Sequence, residues 1–401
     1  MPNRRNSRGE SFPRNGDSVI ILLSRSVRLF GFGAISVILV LHLKAIGYSE
    51  SLIGQLLALT MAGDAVVTLW VTLRADRFGR ARMLRLGAAL MMLAGAILAV
   101  TNEVRWLAPV MFFGAISLNG GDTGPFLAIE QAALTHSLQP QQRTSAIAWY
   151  ILSGSLASAV GSLAAGVGSY RAVFAAYAMC GAVLWILATR LSPAIEAQPA
   201  EQSIAPRFGL HRSRSVVLRL SALFALDTFG SGLAVQSFLA YWLHRRFGIG
   251  TAAIGTILFG MNGLAAFSAL AASRLAARVG LINTMVWTHI PANILLMALP
   301  FVPSLPGAVA ILLLRGCLSQ MDVPARQSYL MAVVDPDERS AAGGITGLAK
   351  SIAGALSPPV TGALFAGAWL SAPFAAAGAL KIVYDLLLWR GFRALKPPEE
   401  C

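Results

Sequence analysis

Apolar positions gather into long runs set apart by short polar stretches. A hydrocarbon core of roughly 30 Å takes about 20 residues of helix to cross. Runs of that size fall at 20–43, 51–72, 83–101, 106–129, 144–166, 172–189, 220–243, 251–272, 281–302, 306–325, 341–365 and 370–389, which predicts twelve transmembrane helices in an all-α integral membrane protein. Three are interrupted: the fourth by Gly120-Gly121, the tenth by Arg315, the twelfth by Lys381. Residues 191–214, LSPAIEAQPAEQSIAPRFGLHRSR, are polar with three prolines and no sustained periodicity, which suits a linker. The expected layout is therefore a tail over 1–19, a six-helix bundle over 20–190, a linker over 191–219, a second bundle over 220–389 and a tail over 390–401.

Composition agrees with the pattern. Of 401 residues 56% are hydrophobic and 12% charged, against about 25% charged in an ordinary soluble protein. The net charge of +14 raises the question of a nucleic-acid partner. Its placement answers it. With the N-terminus inside, the cytoplasmic loops and tails hold 22 Lys and Arg, among them Arg4, Arg5, Arg8, Arg14 and the five from Arg74 to Arg85. The outer loops hold Lys44, Arg105, Arg171, Arg245 and Arg246. The positive-inside rule accounts for the excess without nucleic acid and puts both termini in the cytoplasm, with a bacterial inner (plasma) membrane as the expected location. The Arg-rich first 19 residues lead into the first span without a cleavage site and are read as a cytoplasmic tail.

Cys180, Cys317 and Cys401 form neither a disulfide framework nor a zinc spacing, so no metal or cofactor is expected. No H-E-x-x-H, G-x-S-x-G or ATP-binding G-x-x-x-x-G-K-[ST] is present, and all five histidines stand isolated, which argues against a membrane enzyme and against ATP as the energy source.

The two halves repeat one another. EQAALTHSLQPQQRTSA from Glu130 lies over RQSYLMAVVDPDERSAA from Arg326 at an offset of 196, with Gln131 over Gln327, Pro140 over Pro336 and Arg143 over Arg339. Phe30-Gly31-Phe32-Gly33 lies over Phe229-Gly230-Ser231-Gly232 at 199, and RADRFG from Arg74 over LAARVG from Leu275 at 201. Three matches in one order argue for duplication of a six-helix unit, an arrangement that places a central site between repeats.

On these residues the chain resembles the major facilitator superfamily over nearly its whole length. The loop LRADRFGRARML looks like the signature G-x-L-a-D-r-x-G-r-r of that superfamily: Asp76, Arg77, Gly79 and Arg80 match, while Thr72 and Arg74 replace the first Gly and the Leu. The resemblance implies twelve helices in two pseudo-symmetric bundles and a latch at the cytoplasmic side for these four residues. Two drug-antiporter features are missing, an Arg within WLAPVMFFGAISLNGG of the fourth helix and the proline of G-P-x-x-G-G in the fifth, SGSLASAVGSLAAG. The nearest echo of the latter is SPPVTG, Ser357 to Gly362.

Ionisable groups inside spans face the bundle interior, a partner or water, and so mark transport and coupling sites. They are Arg25, Arg28, Asp64, Asp122, Asp227, Arg315, Asp322, Lys350, Lys381 and Asp385. Asp64 has no charge within nine residues and suits a proton carrier, or a carboxylate bonded to a neighbouring helix. Arg315 and Asp322, seven apart, share a helix face. Lys350 lies in GGITGLAKSIAGALSPP, whose small residues permit close helix approach and whose prolines can break it, with a buried ion pair as the alternative. Gly120 to Pro125 form a candidate gating bend or a helix end. In the family the third, sixth, ninth and twelfth helices pack outside, so Lys381 and Asp385 are expected to be a local structural pair. The family also puts the first and seventh helices near the pseudo-twofold axis. Asp227, in LFALDTFGSGLAVQSFLAYWL, superposes on Arg28 at the offset of 199, so these two are expected to meet across the cavity as a switchable ion pair.

The expected function is secondary active transport of a small organic solute by alternating access, by preference export driven by proton entry, in a monomer within the lipid bilayer. Uptake or exchange of an anionic metabolite is the alternative. A non-transporting receptor or lipid scramblase on the same fold is the alternative from another class.

Overall fold

The computed structural model describes residues 16–121, 126–136, 140–196, 212–335 and 338–393. Among these the α-helices run α1 Gly16–Ala45, α2 Glu50–Phe78, α3 Arg80–Val100, α4 Val104–Phe113, α5 Phe126–His136, α6 Pro140–Ala164, α7 Tyr170–Thr189, α8 Arg214–Leu233, α9 Gln236–Phe247, α10 Thr251–Val279, α11 Leu281–Ala298, α12 Leu305–Gly316, α13 Asp322–Val333, α14 Arg339–Ala366 and α15 Ala372–Phe392. The starts and stops are chemical. Ser49 and Ser169 accept the Leu52 and Ala172 N–H groups with their hydroxyls at the heads of α2 and α7. Gly79, at φ +96°, turns α2 into α3 in a region that favours glycine.

These helices make twelve passes, because the fourth, seventh and tenth are each split in two, as α4 with α5, α8 with α9, and α12 with α13. Among the described residues, eight stretches are long and apolar enough to cross a membrane unaided. The fourth, fifth, tenth and eleventh passes complete the set with shorter or more polar helices. The polypeptide is an all-helical membrane protein of two pseudo-symmetric six-helix bundles.

Backbone released by a break at membrane depth must find partners in protein. It does so here by bonding the halves together. After α4 the chain passes through Ala115, at φ +51°, and Gly120, at φ +66°. The Ala115 carbonyl accepts the Tyr177 hydroxyl at 2.9 Å and the Gly120 carbonyl the Ser158 hydroxyl at 2.6 Å. The Leu118 carbonyl accepts both the N–H and the hydroxyl of Ser237, at 3.1 and 3.0 Å. The Asn119 side-chain oxygen takes the Gln236 N–H at 3.0 Å. Thus the break in the fourth pass caps the first turn of α9, across the two halves. On the other side of the seventh-pass break, the Leu233 carbonyl is met by the Thr361 hydroxyl at 2.8 Å.

Pro358 and Pro359 do not break the eleventh pass, contrary to what they allow in the sequence; α14 runs through both. Pro358 cannot donate to the Gly354 carbonyl, but the Ser357 hydroxyl does so at 2.8 Å and keeps the turn bonded.

Among the described residues the halves touch at one end and part at the other. Near the α1–α2 turn they are in contact: a Cβ on Gly54 of α2 would lie 2.6 Å from the Pro358 carbonyl oxygen of α14, and one on Gly255 of α10 would lie 2.4 Å from the Ser162 carbonyl oxygen of α6. The Tyr241 hydroxyl of α9 reaches the Glu50 carboxylate of α2 at 2.7 Å, and Lys44 joins it at 2.8 Å. At the α2–α3 end, Gly343, Gly344 and Gly347 of the same α14 have open space around them.

Candidate functional site

The two halves carry the same buried ion pair with its charges exchanged. In the first half Arg28 of α1 donates to both oxygens of Glu130 on α5, at 2.5 and 2.8 Å, and the Tyr150 hydroxyl of α6 donates to the same carboxylate at 2.6 Å. Arg28 also lies over the Phe126 ring and Arg25 over the Tyr150 ring. Both partners are sealed from solvent, with side-chain exposures of 0% and 2%. In the second half Asp227 of α8 accepts from Arg326 of α13 at 2.6 Å. The pairs coincide under the repeat, Asp227 standing where Arg28 stands and Arg326 where Glu130 stands.

The second-half pair belongs to a larger cluster. Arg326 also holds Asp322 at 3.1 Å, one helical turn before it on α13. Lys381 of α15 lies 3.0 Å from Asp227 and donates to the Ser231 hydroxyl at 2.6 Å. His289 of α11 sits between two acids, its Nδ1 2.9 Å from Asp385 and its Nε2 3.9 Å from Asp227. Asn293 donates to the other Asp385 oxygen at 3.3 Å. Buried charges hold in such surroundings only when paired in this way.

This cluster forms one wall of a cavity of about 280 Å³. Arg315, at the end of α12, enters the same cavity, as do Asn119 and Gln236 from the crossed breaks and Asn262 from α10. The break of the tenth pass between Gly316 and Asp322 has a role in this: it ends one helix on Arg315 and starts the next on Asp322, so both face one space.

Four expectations from sequence are corrected. Arg28 and Asp227 do not pair with each other; each has its partner within its own half, because the second segment of the fourth pass of each repeat brings an opposite charge to the same depth. Lys381 and Asp385 are not a mutual pair: Lys381 turns to Asp227 on α8 and Asp385 to His289 on α11. His289 is not isolated. The break in the fourth pass starts at Gly114, before the double glycine, and Asp122 itself lies outside the described residues.

The other expected residues are spread more widely. Asp227, Arg315 and Asp322 meet in the cavity. Lys350, on α14, feels the charges of Arg326, Asp227 and Asp322. Asp64 lies half-buried on α2 and, among the described residues, does not line this cavity. At the α2–α3 turn, the Arg80 guanidinium donates to the Ile195 carbonyl at 3.1 Å, and the Arg80 and Ala81 N–H groups are taken by Glu196 at 2.5 and 3.2 Å. That ties the loop to the end of its own half. The side chains of Asp76 and Arg77 lie outside the described residues. Glu130, Arg326 and His289 are the site residues that the sequence reading missed.

Two bundles of six passes, matching breaks in the fourth and tenth, and a charged cavity that Asn119 of the first half also bounds are the plan of a secondary transporter. The chain belongs to the Major Facilitator Superfamily, whose model matches residues 21–358. An uncharacterised membrane protein of Saccharomyces cerevisiae is 29% identical over 416 residues, covering 93% of each chain. That relative is eukaryotic, which loosens the expectation of a bacterial membrane. Among solved structures, the human organic anion transporter MFSD10 (TETRAN) is 17% identical with a TM-score of 0.66, covering 94% of this chain and all (100%) of that one. The nucleoside transporter NupG is 12% identical with a TM-score of 0.73, covering 94% and 100%. A D-xylose-proton symporter is 16% identical with a TM-score of 0.70, covering 93% and 97%.

Proposed function

We propose that the protein is a proton-coupled secondary active transporter of a small organic solute, with the proton taken by His289 and the solute held in the adjoining cavity. The observation that carries this reading is the place of His289, buried between Asp385 and Asp227 at the cavity wall. Histidine is the side chain whose charge ordinarily changes between about pH 5 and 8. The charged and titratable groups around it are Asp227 on α8, Lys381, Tyr384 and Asp385 on α15, Asp322 and Arg326 on α13, Arg315 on α12 and Lys350 on α14.

A proton at His289 competes with Lys381 and Arg326 for the carboxylate of Asp227. Those contacts tie α8 to α13 and α15, and α8 lies in the seventh pass, whose lower half, α9, is capped by the first half. Proton binding therefore changes the relative stability of the two conformations of the cycle, which is what coupling requires. Asp227 keeps the switching role expected of it, with Arg326 and Lys381 in place of Arg28. In this reading the parted end faces the cytoplasm, following the distribution of Lys and Arg.

The test is a distance across that end. Spin labels at Arg74→Cys and Leu348→Cys, in a protein without its native thiols, should report two populations whose balance shifts with pH. His289→Gln should flatten the response while Asp64→Asn leaves it in place. A full response in His289→Gln would remove the histidine from the mechanism, and loss of response in Asp64→Asn alone would give the proton to Asp64.

A further inference from the structure

We infer that the solute is a small organic anion and that its carboxylate seats on Arg315. This rests on the transporter reading above but not on the proton assignment within it.

The first observation is an unanswered cation. Arg326 has two carboxylates and Lys381 has one, yet among the described residues no acceptor takes an N–H of the Arg315 side chain, and its Nε is buried without a partner. A guanidinium keeps its charge and presents five donors in a planar fork. Left bare at membrane depth it is costly; a carboxylate answers it with two parallel bonds.

The second observation is the balance of charge around the cavity. Arg315, Arg326 and Lys381 line it against Asp227 and Asp322. Behind that wall His289 accompanies Asp385, while Lys350 adds a further cation that has no hydrogen-bond or ion-pair partner among the described residues. Among the described residues four cations in and behind this wall thus stand against three carboxylates even with His289 neutral. One negative charge in the cavity evens the count.

The third concerns the body of the solute. Opposite the cations stand neutral amides, Asn119 exposed to the cavity, with Gln236 and Asn262 beside it. They suit hydroxyl or carbonyl groups. The volume, about 280 Å³, is at the small end for ligand sites, which limits the solute to a small acid. A proton on His289 increases the positive excess, so proton and anion favour one another. That is the linkage of co-transport rather than of the proton-driven export expected from sequence, since an antiporter needs the two to compete.

Binding to the purified full-length protein at one fixed pH tests the inference. Melting temperature is followed with para-hydroxybenzoate, gluconate and succinate, each beside its neutral counterpart, para-hydroxybenzamide, glucose and succinamide. At least one acid should raise the melting temperature while its counterpart does not. Arg315→Gln should weaken that acid at least tenfold and Arg315→Lys less so, because the amine keeps the charge but not the fork. The inference falls if none of the three acids binds, if a neutral counterpart binds as tightly as its acid, or if Arg315→Gln binds like the parent. The comparison of acid with neutral counterpart needs no variant, so a poorly folded Arg315→Gln leaves it decisive. A spin-label response to pH that survives such a failure would leave the proton reading standing.

Discussion

Arg28 and Glu130 are sealed from solvent, whereas their counterparts, Asp227 and Arg326, open on the cavity. Two copies of one ion pair have thus taken different work, one as a rivet and one as part of the site. Removing one partner of a buried pair leaves the other charge uncompensated and costs about 3–5 kcal/mol. Arg28→Met should therefore lower the melting temperature markedly, and Arg28→Met with Glu130→Leu should restore much of it. Arg315→Met should leave the unliganded protein as stable as the parent or more so, because no acceptor among the described residues loses a partner. The exchange of charges was legible in the sequence, since offsets of 199 and 196 set Asp227 on Arg28 and Arg326 on Glu130. Which charges pair was not. Sequence gives the depth of a residue in the membrane but not the direction its helix turns it, so two charges at one depth were matched across the molecule when each had a nearer partner. His289 escaped for the same reason, its acids lying 96 residues along the chain and on α8.

The passes themselves were legible to within about eight residues at each end, because bilayer thickness sets their length. Two of the three breaks were also signalled, by Gly120-Gly121 near the fourth and Arg315 in the tenth. The break at Ala234 and Val235 was not: neither residue is a helix breaker, and the chain opens there because Thr361, Leu118 and Asn119 supply partners from distant segments. The double proline misled in the opposite sense, as Ser357 replaces the lost donor. Contacts between elements hold the closed end, and they can be loosened singly. Gly54→Leu cannot be accommodated against Pro358 and should shift the protein toward a state open at the α1–α2 end, read as faster labelling of Asn262→Cys by an impermeant thiol reagent from that side. Tyr241→Phe, which loses only the bond to Glu50, should act in the same direction and less strongly. Unchanged labelling in Gly54→Leu would show that this contact does not hold the end shut.

At the scale of the molecule, the proposed cycle makes the first half, fastened by its own sealed pair, the fixed partner and gives the second half the charges that change. Its cavity is bounded from the first half by Asn119, so a solute that fills it from Arg315 to Asn119 touches both halves. A proton and an anion entering one cluster of excess positive charge favour each other's binding, and by linkage each must report the other. Calorimetry in buffers of different ionisation enthalpy counts the protons taken up as an acid binds, and is the most direct test of coupling. With the tightest-binding of the three acids, near neutral pH, net proton uptake should accompany each molecule bound, approaching one, and it should vanish in His289→Gln. Proton release on binding, or an uptake that His289→Gln leaves unchanged, would contradict the account.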